Sequence, residues 1–349
     1  MEFGLRVMSL VAAVALAGCS EPVHRSEPLQ AMGRTGFIEL YMGSEERFDE
    51  AVADARKAID TVARKLDFRL PDSELARLNR RAPHEYYTIQ DIDLYRAVQL
   101  ALDYAQASRG AFDPTVGRLG RLYEDGDPGE SAVAAALEDV GWEWVVLVRE
   151  AHAVRFRRPG IEIDLGGLSK GYALQVASRV LAKSGSYAGL FVLGGNAYAW
   201  NAPPDAEYWS VPLEDPRWPG RTLLRLRIAN RGVAIAGQGR AGAETLFDPG
   251  TGRAVDGDVI LAIGTGHTAG DADAFATALA ASSYQAATDL LGRMRKVEAA
   301  LLVRDGEELY LLASASLRGR LELGPEFDIE IDGDVRYLLP PTEFPEGPA

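Results

Sequence analysis

The sequence predicts an α+β fold, with mixed or antiparallel sheets and helices packed on them. Three observations carry this. Phe48, Val52, Ala55, Ile59, Val62 and Leu66 recur at alternating spacings of four and three, which makes one apolar helical stripe. Short apolar runs end in glycine turns, as in Leu190 to Leu193 before Gly194-Gly195-Asn196 and Val233 to Ala236 before Gly237-Gln238-Gly239, and these read as strands. Helical and extended segments mix without strict alternation and without an internal repeat, which favours α+β over a doubly wound sheet.

In chain order, residues 1–18 read as a signal peptide. Arg6 is followed by an apolar run from Val7 to Leu16 and then Leu16-Ala17-Gly18-Cys19. The run is too short to span a bilayer. Cys19 is the only cysteine, so no intramolecular disulfide can form. Its place directly after small residues marks it for lipid attachment; the plainer reading is a secretory signal with a chance cysteine. Residues 19–31 read as a polar tether. A first strand is expected from Thr35 to Tyr41, and Ser44 is placed to cap the striped helix. Pro71-Asp72-Ser73-Glu74-Leu75 reads as a turn leading into Glu74 to Asn79. A second helix is expected from about Ile89 to Ser108, ending at Gly110.

Next comes a loop, Gly110-Ala111-Phe112-Asp113-Pro114-Thr115-Val116-Gly117, and a helical stretch over 131–139. A hairpin is expected from Trp144 to Arg149 and Val154 to Arg157. The chain is organised around Ile161 to Ala173. This stretch reads as a strand to Asp164, a turn at Gly166-Gly167, and a helix from Leu168. A helix starting behind two glycines offers backbone N–H groups to an anion; equally, it is a tight connection with no ligand. Further strands are expected at Trp209–Leu213, Leu223–Ile228 and Val259–Gly264. Asp271 to Met294 reads as one helix, and Ala299–Val303 with Leu309–Ala313 as a hairpin. The Pro- and Glu-rich tail, 340–349, is expected to be disordered.

Composition narrows the function. With 349 residues, 47% apolar, the chain has enough material for a large core. A formal net charge of −14 argues against nucleic acid as a partner, since phosphate backbones need basic surface. For the same reason an anionic ligand here needs local help from a cation or from backbone amides. Asp273 and Thr277 lie four apart on one helix face. A carboxylate and a hydroxyl so placed can share Mg²⁺, which prefers oxygen ligands; alternatively, Asp273 simply complements the helix dipole and Thr277 is buried. Lys170 is either a cation for a ligand or a solvated surface lysine. No G-x-S-x-G elbow with plausible partners and no phosphate-binding P-loop motif occurs. His24, His84, His152 and His267 are scattered, which disfavours a histidine metal site.

Five motifs occur in a fixed order: Phe112-Asp113-Pro114-Thr115-Val116-Gly117, Asp164 to Ala173, Gly194-Gly195-Asn196, Asp248-Pro249-Gly250-Thr251-Gly252, and Ala272-Asp273-Ala274-Phe275-Ala276-Thr277. With Met32-Gly33-Arg34-Thr35 and Pro71 to Leu75 upstream, this resembles the ApbE family, flavin-handling periplasmic lipoproteins that act as FAD:protein FMN transferases. The resemblance implies an ApbE-like (T-fold-like), two-lobed architecture over 32–339. It implies transfer of FMN from FAD to a Thr or Ser hydroxyl of an acceptor protein, with Mg²⁺ and release of AMP. It also implies metal contacts from Asp273, Thr277 and the Gly167 carbonyl, with Asp273 and Thr277 as the catalytic pair. FAD contacts are implied for Met32, Ala111, Phe112, Asp113, Asp164, Lys170, Gly194, Gly195, Leu246 and Phe247. Cys19 is implied as the lipid anchor on the periplasmic face of a bacterial membrane, and Ser20 after it favours the outer membrane.

Three positions depart from the family pattern. Thr245 stands where a histidine is common, Arg69 where a tyrosine that stacks on flavin often sits, and Asn196 where an aspartate is common. With that histidine missing, hydrolysis of FAD to FMN and AMP, or FAD binding without catalysis, remain as alternatives.

Overall fold

The first described element is a strand, β1 (Val23–Ala31), paired antiparallel along its whole length with β2 (Arg34–Met42). Most of the expected tether is therefore structure: alternate residues of β1 pack inward, and Leu29 and Ala31 join the core. The structure is a computed structural model that describes residues 23–124, 126, 128–214, 222–238, 246–294, 297–306, 308–324 and 336–339. The signal segment, Cys19, Thr245 and the 340–349 tail lie outside them.

After β2 the striped helix forms as expected. It is α1 (Glu45–Leu66), with the Ser44 side chain accepting from the Arg47 N–H. All six stripe residues are buried. Next are α2 (Glu74–Arg81), a short β3 (Tyr87–Thr88) and α3 (Ile92–Ser108). The last starts three residues later than expected, because Asp91 caps it by accepting from the N–H groups of Asp93 and Leu94.

The Pro71–Leu75 motif turns out to be structural. Ser73 caps α2, accepting from the Ala76 N–H at 2.9 Å. Buried Glu74 accepts from the backbone N–H of Gln90 at 2.7 Å and of Asp91 at 3.0 Å. Glu74→Ala would remove the acceptor of both groups, and a loss of about 3 kcal/mol is expected from paired, partly buried bonds to a carboxylate. Urea unfolding of the variant measures it.

A small helical unit follows, α4 (Gly117–Glu124) and α5 (Glu130–Leu137), with its own cluster around Leu119, Val133 and Ala136. Then come β4 (Val145–Val148) and β5 (Ala153–Phe156), which with β3 make a three-stranded sheet. Residues 161–164 are not a strand. They carry a single parallel bridge, Val116 to Glu162, and the helix α6 (Gly166–Lys183) begins at the glycines themselves. Gly166 and Gly167 are thus helical residues rather than a turn.

The strands β6 (Ala188–Leu193) and β7 (Asn196–Trp200) form a hairpin. Its two-residue turn, Gly194-Gly195, has φ of +56° and +87°, the left-handed geometry such hairpins require. The chain continues with β8 (Trp209–Glu214), β9 (Thr222–Ile228), β10 (Arg231–Gly237) and β11 (Val259–Gly266). The single helix expected over 271–294 is two, α7 (Ala269–Ala280) and α8 (Tyr284–Arg293). The break falls at Ser282-Ser283, where Ser282 bonds back to the Ala278 carbonyl and Ser283 caps α8. The strands β12 (Glu298–Asp305), β13 (Glu308–Ala313), β14 (Leu321–Leu323) and β15 (Arg336–Leu339) complete the described chain.

Nine strands form one antiparallel sheet in the order β1-β2-β6-β7-β10-β11-β12-β13-β15. The two-residue period of a strand lets it serve two cores. On β12, Ala299, Leu301 and Val303 face the helices, while Ala300 and Leu302 face the three-stranded sheet β14-β9-β8. This is the α+β arrangement of antiparallel sheets and packed helices expected from the sequence.

Candidate active site

The site forms where α6 and α7 touch. Gly171 on α6 lies so close to α7 that a Cβ there would sit 2.1 Å from the Ala269 carbonyl oxygen and 2.6 Å from the Asp273 Cβ. One turn earlier, a Cβ on Gly167 would meet the Phe112 ring at 2.9 Å and the Thr277 methyl at 3.0 Å. Small residues on one face of α6 therefore let the two helices approach closely. Three oxygen groups meet as a result. The Thr277 hydroxyl donates to the Gly167 carbonyl at 2.8 Å, and the Asp273 carboxylate accepts from the Gly171 N–H at 2.9 Å. Asp273 is 3% exposed.

These groups border a cavity of about 550 Å³, within the usual range for small-molecule sites. Of the residues proposed from sequence, Ala111, Phe112, Asp113, Asp164, Gly167, Lys170, Gly194, Leu246, Phe247, Asp273 and Thr277 line it. Met32 and Gly195 do not. Met32, at φ +50°, forms the β1–β2 turn with Gly33 and packs on the core, so Gly33, Arg34 and Thr35 reach the cavity instead. Gly195 uses its carbonyl to accept from the Ile235 N–H.

Each motif has a local reason. Asp164 accepts from the Gly166 N–H at 2.7 Å, so it covers the first turn of α6. Lys170 reaches back to the Gly166 carbonyl at 3.3 Å. Asp113 accepts from the Thr115 N–H and hydroxyl with one oxygen and from the Trp142 N–H with the other. Burial nevertheless raises its pKa above the ordinary carboxylate value, with the Thr115 and Trp142 bonds opposing the rise. In Asp248-Pro249-Gly250-Thr251-Gly252, the Asp248 side chain accepts from the Gly250 N–H and the Thr251 hydroxyl. That closed turn holds Phe247 against Tyr123, ring centroids 4.9 Å apart.

Sequence reasoning missed the α4 wall. Gly120, Tyr123 and Glu124 line the cavity, and so does Pro249. Tyr123 also donates to the Gly252 carbonyl at 3.1 Å across 129 positions, a pairing with no local signal. Ile235 to Gly237 on β10 line the cavity too. Arg69, one of the three departures, is a cavity residue: it pairs with Glu124, stacks on the Phe68 ring at 4.5 Å, and lies near Asp164. Asn196 is 1% exposed and its amide has no hydrogen-bond partner among the described residues. A neutral amide costs less there than the charge of an unpaired aspartate would. His267 is exposed and does not line the cavity.

The donor chemistry suits a hard cation. A carboxylate, a hydroxyl and a carbonyl are the oxygen types Mg²⁺ takes, with waters or ligand phosphates completing its shell. No cluster of three or more His, Cys, Asp or Glu side chains able to hold a metal exists among the described residues, so the group would depend on a ligand's phosphates. Arg34, Arg69 and Lys170 add positive charge to the same cavity.

The model of the ApbE family matches residues 32–301. Among characterised relatives, the FAD:protein FMN transferase of Treponema pallidum is 28% identical over 260 residues, covering 67% of this chain and 72% of the relative. That of Escherichia coli K12 is 22% identical, covering 92% and 96%. Among solved structures, the flavin transferase ApbE of Vibrio cholerae superposes with a TM-score of 0.74 at 20% identity, covering 86% of this chain and 99% of the other. The apo flavinyl transferase ApbE of Pseudomonas stutzeri gives 0.74 at 19% identity, covering 86% and 97%.

Proposed function

The chain belongs to the ApbE family, and from that premise we propose that it is a lipid-anchored, Mg²⁺-dependent FAD:protein FMN transferase. The observation that carries the reading is the convergence of Asp273, Thr277 and the Gly167 carbonyl at one side of a cavity that also holds Lys170. FAD is the substrate and a Thr or Ser hydroxyl of another protein is the acceptor. The hydroxyl oxygen attacks the phosphorus on the FMN side of the pyrophosphate. A new P–O bond forms, the bridging P–O bond breaks, and AMP leaves with the bridging oxygen.

A bound Mg²⁺ would neutralise charge on the pyrophosphate oxygens. The protein supplies the rest. Lys170 puts a cationic side chain beside the phosphates, and the α6–α7 contact fixes the oxygen donors before ligand arrives. No histidine side chain lines the cavity among the described residues; of the carboxylates there, Asp273 is the one at the Thr277–Gly167 oxygen cluster, and it is assigned to take the hydroxyl proton. The Tyr123–Phe247 pair gives an aromatic wall for one of FAD's ring systems. Tyr123→Ala is expected to weaken FAD binding about tenfold, on the order of 1.4 kcal/mol for a lost aromatic contact, read by quenching of flavin fluorescence.

Cys19 places the body on the periplasmic face of a membrane, with the outer membrane favoured. The direct test titrates FAD into the purified protein with Mg²⁺ and with a chelator. Tight binding that weakens on chelation supports the reading; no FAD binding in either condition would remove it. Release of AMP and free FMN with the acceptor unmodified would favour the hydrolytic alternative.

A further inference from the structure

We infer that Arg34 is a phosphate-binding residue of the cavity, an inference that rests on the proposed role of FAD as substrate. Three cationic side chains line the cavity among the described residues: Arg34, Arg69 and Lys170. Two of them are engaged by the protein itself. Arg69 pairs with Glu124 and lies in the field of Asp164. Lys170 donates to the Gly166 carbonyl at 3.3 Å. The Arg34 guanidinium makes neither a hydrogen bond nor an ion pair with any described residue. It is also half-buried. A charge drawn partly out of water without a partner carries a desolvation cost, and an anionic ligand offsets it.

The fold holds this cation in place before any ligand arrives. Arg34 is the first residue of β2, directly after the Met32-Gly33 turn, where φ is +50° and +68°. The Thr35 carbonyl accepts from the Gly194 N–H at 3.1 Å, so the β1–β2 and β6–β7 turns lie side by side. The Arg34 stem crosses Gly194. A Cβ on that glycine would sit 2.7, 2.9 and 3.1 Å from the Arg34 Cγ, Cβ and Cδ. Glycine at 194 thus leaves the room that the stem occupies. The stem is ordered on folding rather than on binding, which is how preorganisation raises affinity.

Ligand chemistry selects the partner. A guanidinium presents a planar fork of N–H donors that matches two oxygens of one phosphate. The rings and hydroxyls of FAD are neutral at neutral pH, so its pyrophosphate is its only anionic part. The hairpin wall therefore supplies the pyrophosphate with a contact separate from the α6–α7 oxygens, and one that needs no metal.

Two substitutions test this. Arg34→Gln keeps the three stem carbons over Gly194 and removes the charge. Arg34→Lys keeps the charge and loses the fork. Calorimetry on the full chain compares FAD with riboflavin, which has no phosphate, in chelator and again in Mg²⁺. Arg34→Gln should weaken FAD binding about 10- to 100-fold, the range for a charge-assisted hydrogen bond, and leave riboflavin binding unchanged. The loss should appear in both conditions, and Arg34→Lys should recover part of it. FAD affinity should also depend less steeply on NaCl in Arg34→Gln than in the unaltered chain. The thermal midpoint without ligand should not move, since no bond within the protein is lost. Unchanged FAD affinity in Arg34→Gln overturns the assignment and leaves the proposed function standing. An equal loss for FAD and riboflavin overturns it as well, because the side chain then shapes the cavity rather than binding phosphate. No FAD binding by the unaltered chain overturns the assignment and the proposed function together.

Discussion

Asp273→Asn is expected to lower the rate of FMN transfer about 100- to 1,000-fold while leaving the fold intact. The asparagine oxygen can still accept from the Gly171 N–H, which Asp273 binds at 2.9 Å, so the α6–α7 contact survives. What goes is the negative charge that would hold the cation and take the hydroxyl proton. A loss of several kcal/mol of charge stabilisation at a transferring phosphoryl group corresponds to that rate. Three readouts belong together: AMP release, Mg²⁺ affinity by calorimetry, and the thermal midpoint. Loss of the first two with an unchanged midpoint is the expected pattern. Wild-type Mg²⁺ affinity in the variant would take Asp273 out of the metal site.

Gly171→Ala is expected to be the most damaging single methyl on α6. The added carbon would lie 2.1 Å from a backbone carbonyl oxygen and 2.6 Å from the Asp273 Cβ. Neither is the free end of a flexible side chain, so α6 and α7 must separate. Overpacking of this kind costs about 3 kcal/mol, or roughly 4 °C in the midpoint for a chain this size. FAD and Mg²⁺ binding should fall with it, because the same shift pulls Asp273 and Thr277 away from Gly167. Gly292 is the control. It lies in α8 with nothing within 4 Å of its added Cβ, so Gly292→Ala should be neutral or stabilising by up to about 1 kcal/mol. Calorimetric scans of both variants decide it, and equal midpoints would contradict the close-packing account.

Much of the fold was legible where local chemistry decides it. The α1 stripe and its Ser44 cap follow from spacing and from one hydroxyl. The β12–β13 hairpin follows from two short apolar runs, Ala299–Val303 and Leu309–Ala313, separated by polar residues. What misled was local chemistry overruled at longer range. Glycines 166 and 167 looked like a turn, because a glycine pair after an apolar run usually is one. They are the first residues of α6, and Phe112 and Thr277, distant in sequence, leave no room for a Cβ at position 167. The span 23–31 looked like a tether because it is mostly polar; pairing with β2 is what makes it a strand.

In the site, the motifs located the α6–α7 side, since a carboxylate and a hydroxyl four apart on a helix must share a face. The α4 wall was invisible. Gly117–Glu124 is a short helix with two fully buried positions, and its contact to the Phe247 loop is made by side chains far apart in the chain. Several motif residues serve the scaffold. Glu74, Asp113 and Asp248 spend their oxygens on backbone N–H groups and on neighbouring hydroxyls. They shape the loops that Phe112 and Phe247 stand on.

The central claim is that one cavity, with Asp273, Thr277 and Gly167 on one side, moves FMN from FAD to a protein hydroxyl. Intact-mass spectrometry of an acceptor protein incubated with this chain, FAD and Mg²⁺ tests it most directly. The account predicts a gain of one FMN on a Thr or Ser, with AMP released in equal amount and neither product in the presence of a chelator. An unmodified acceptor beside intact FAD would contradict it.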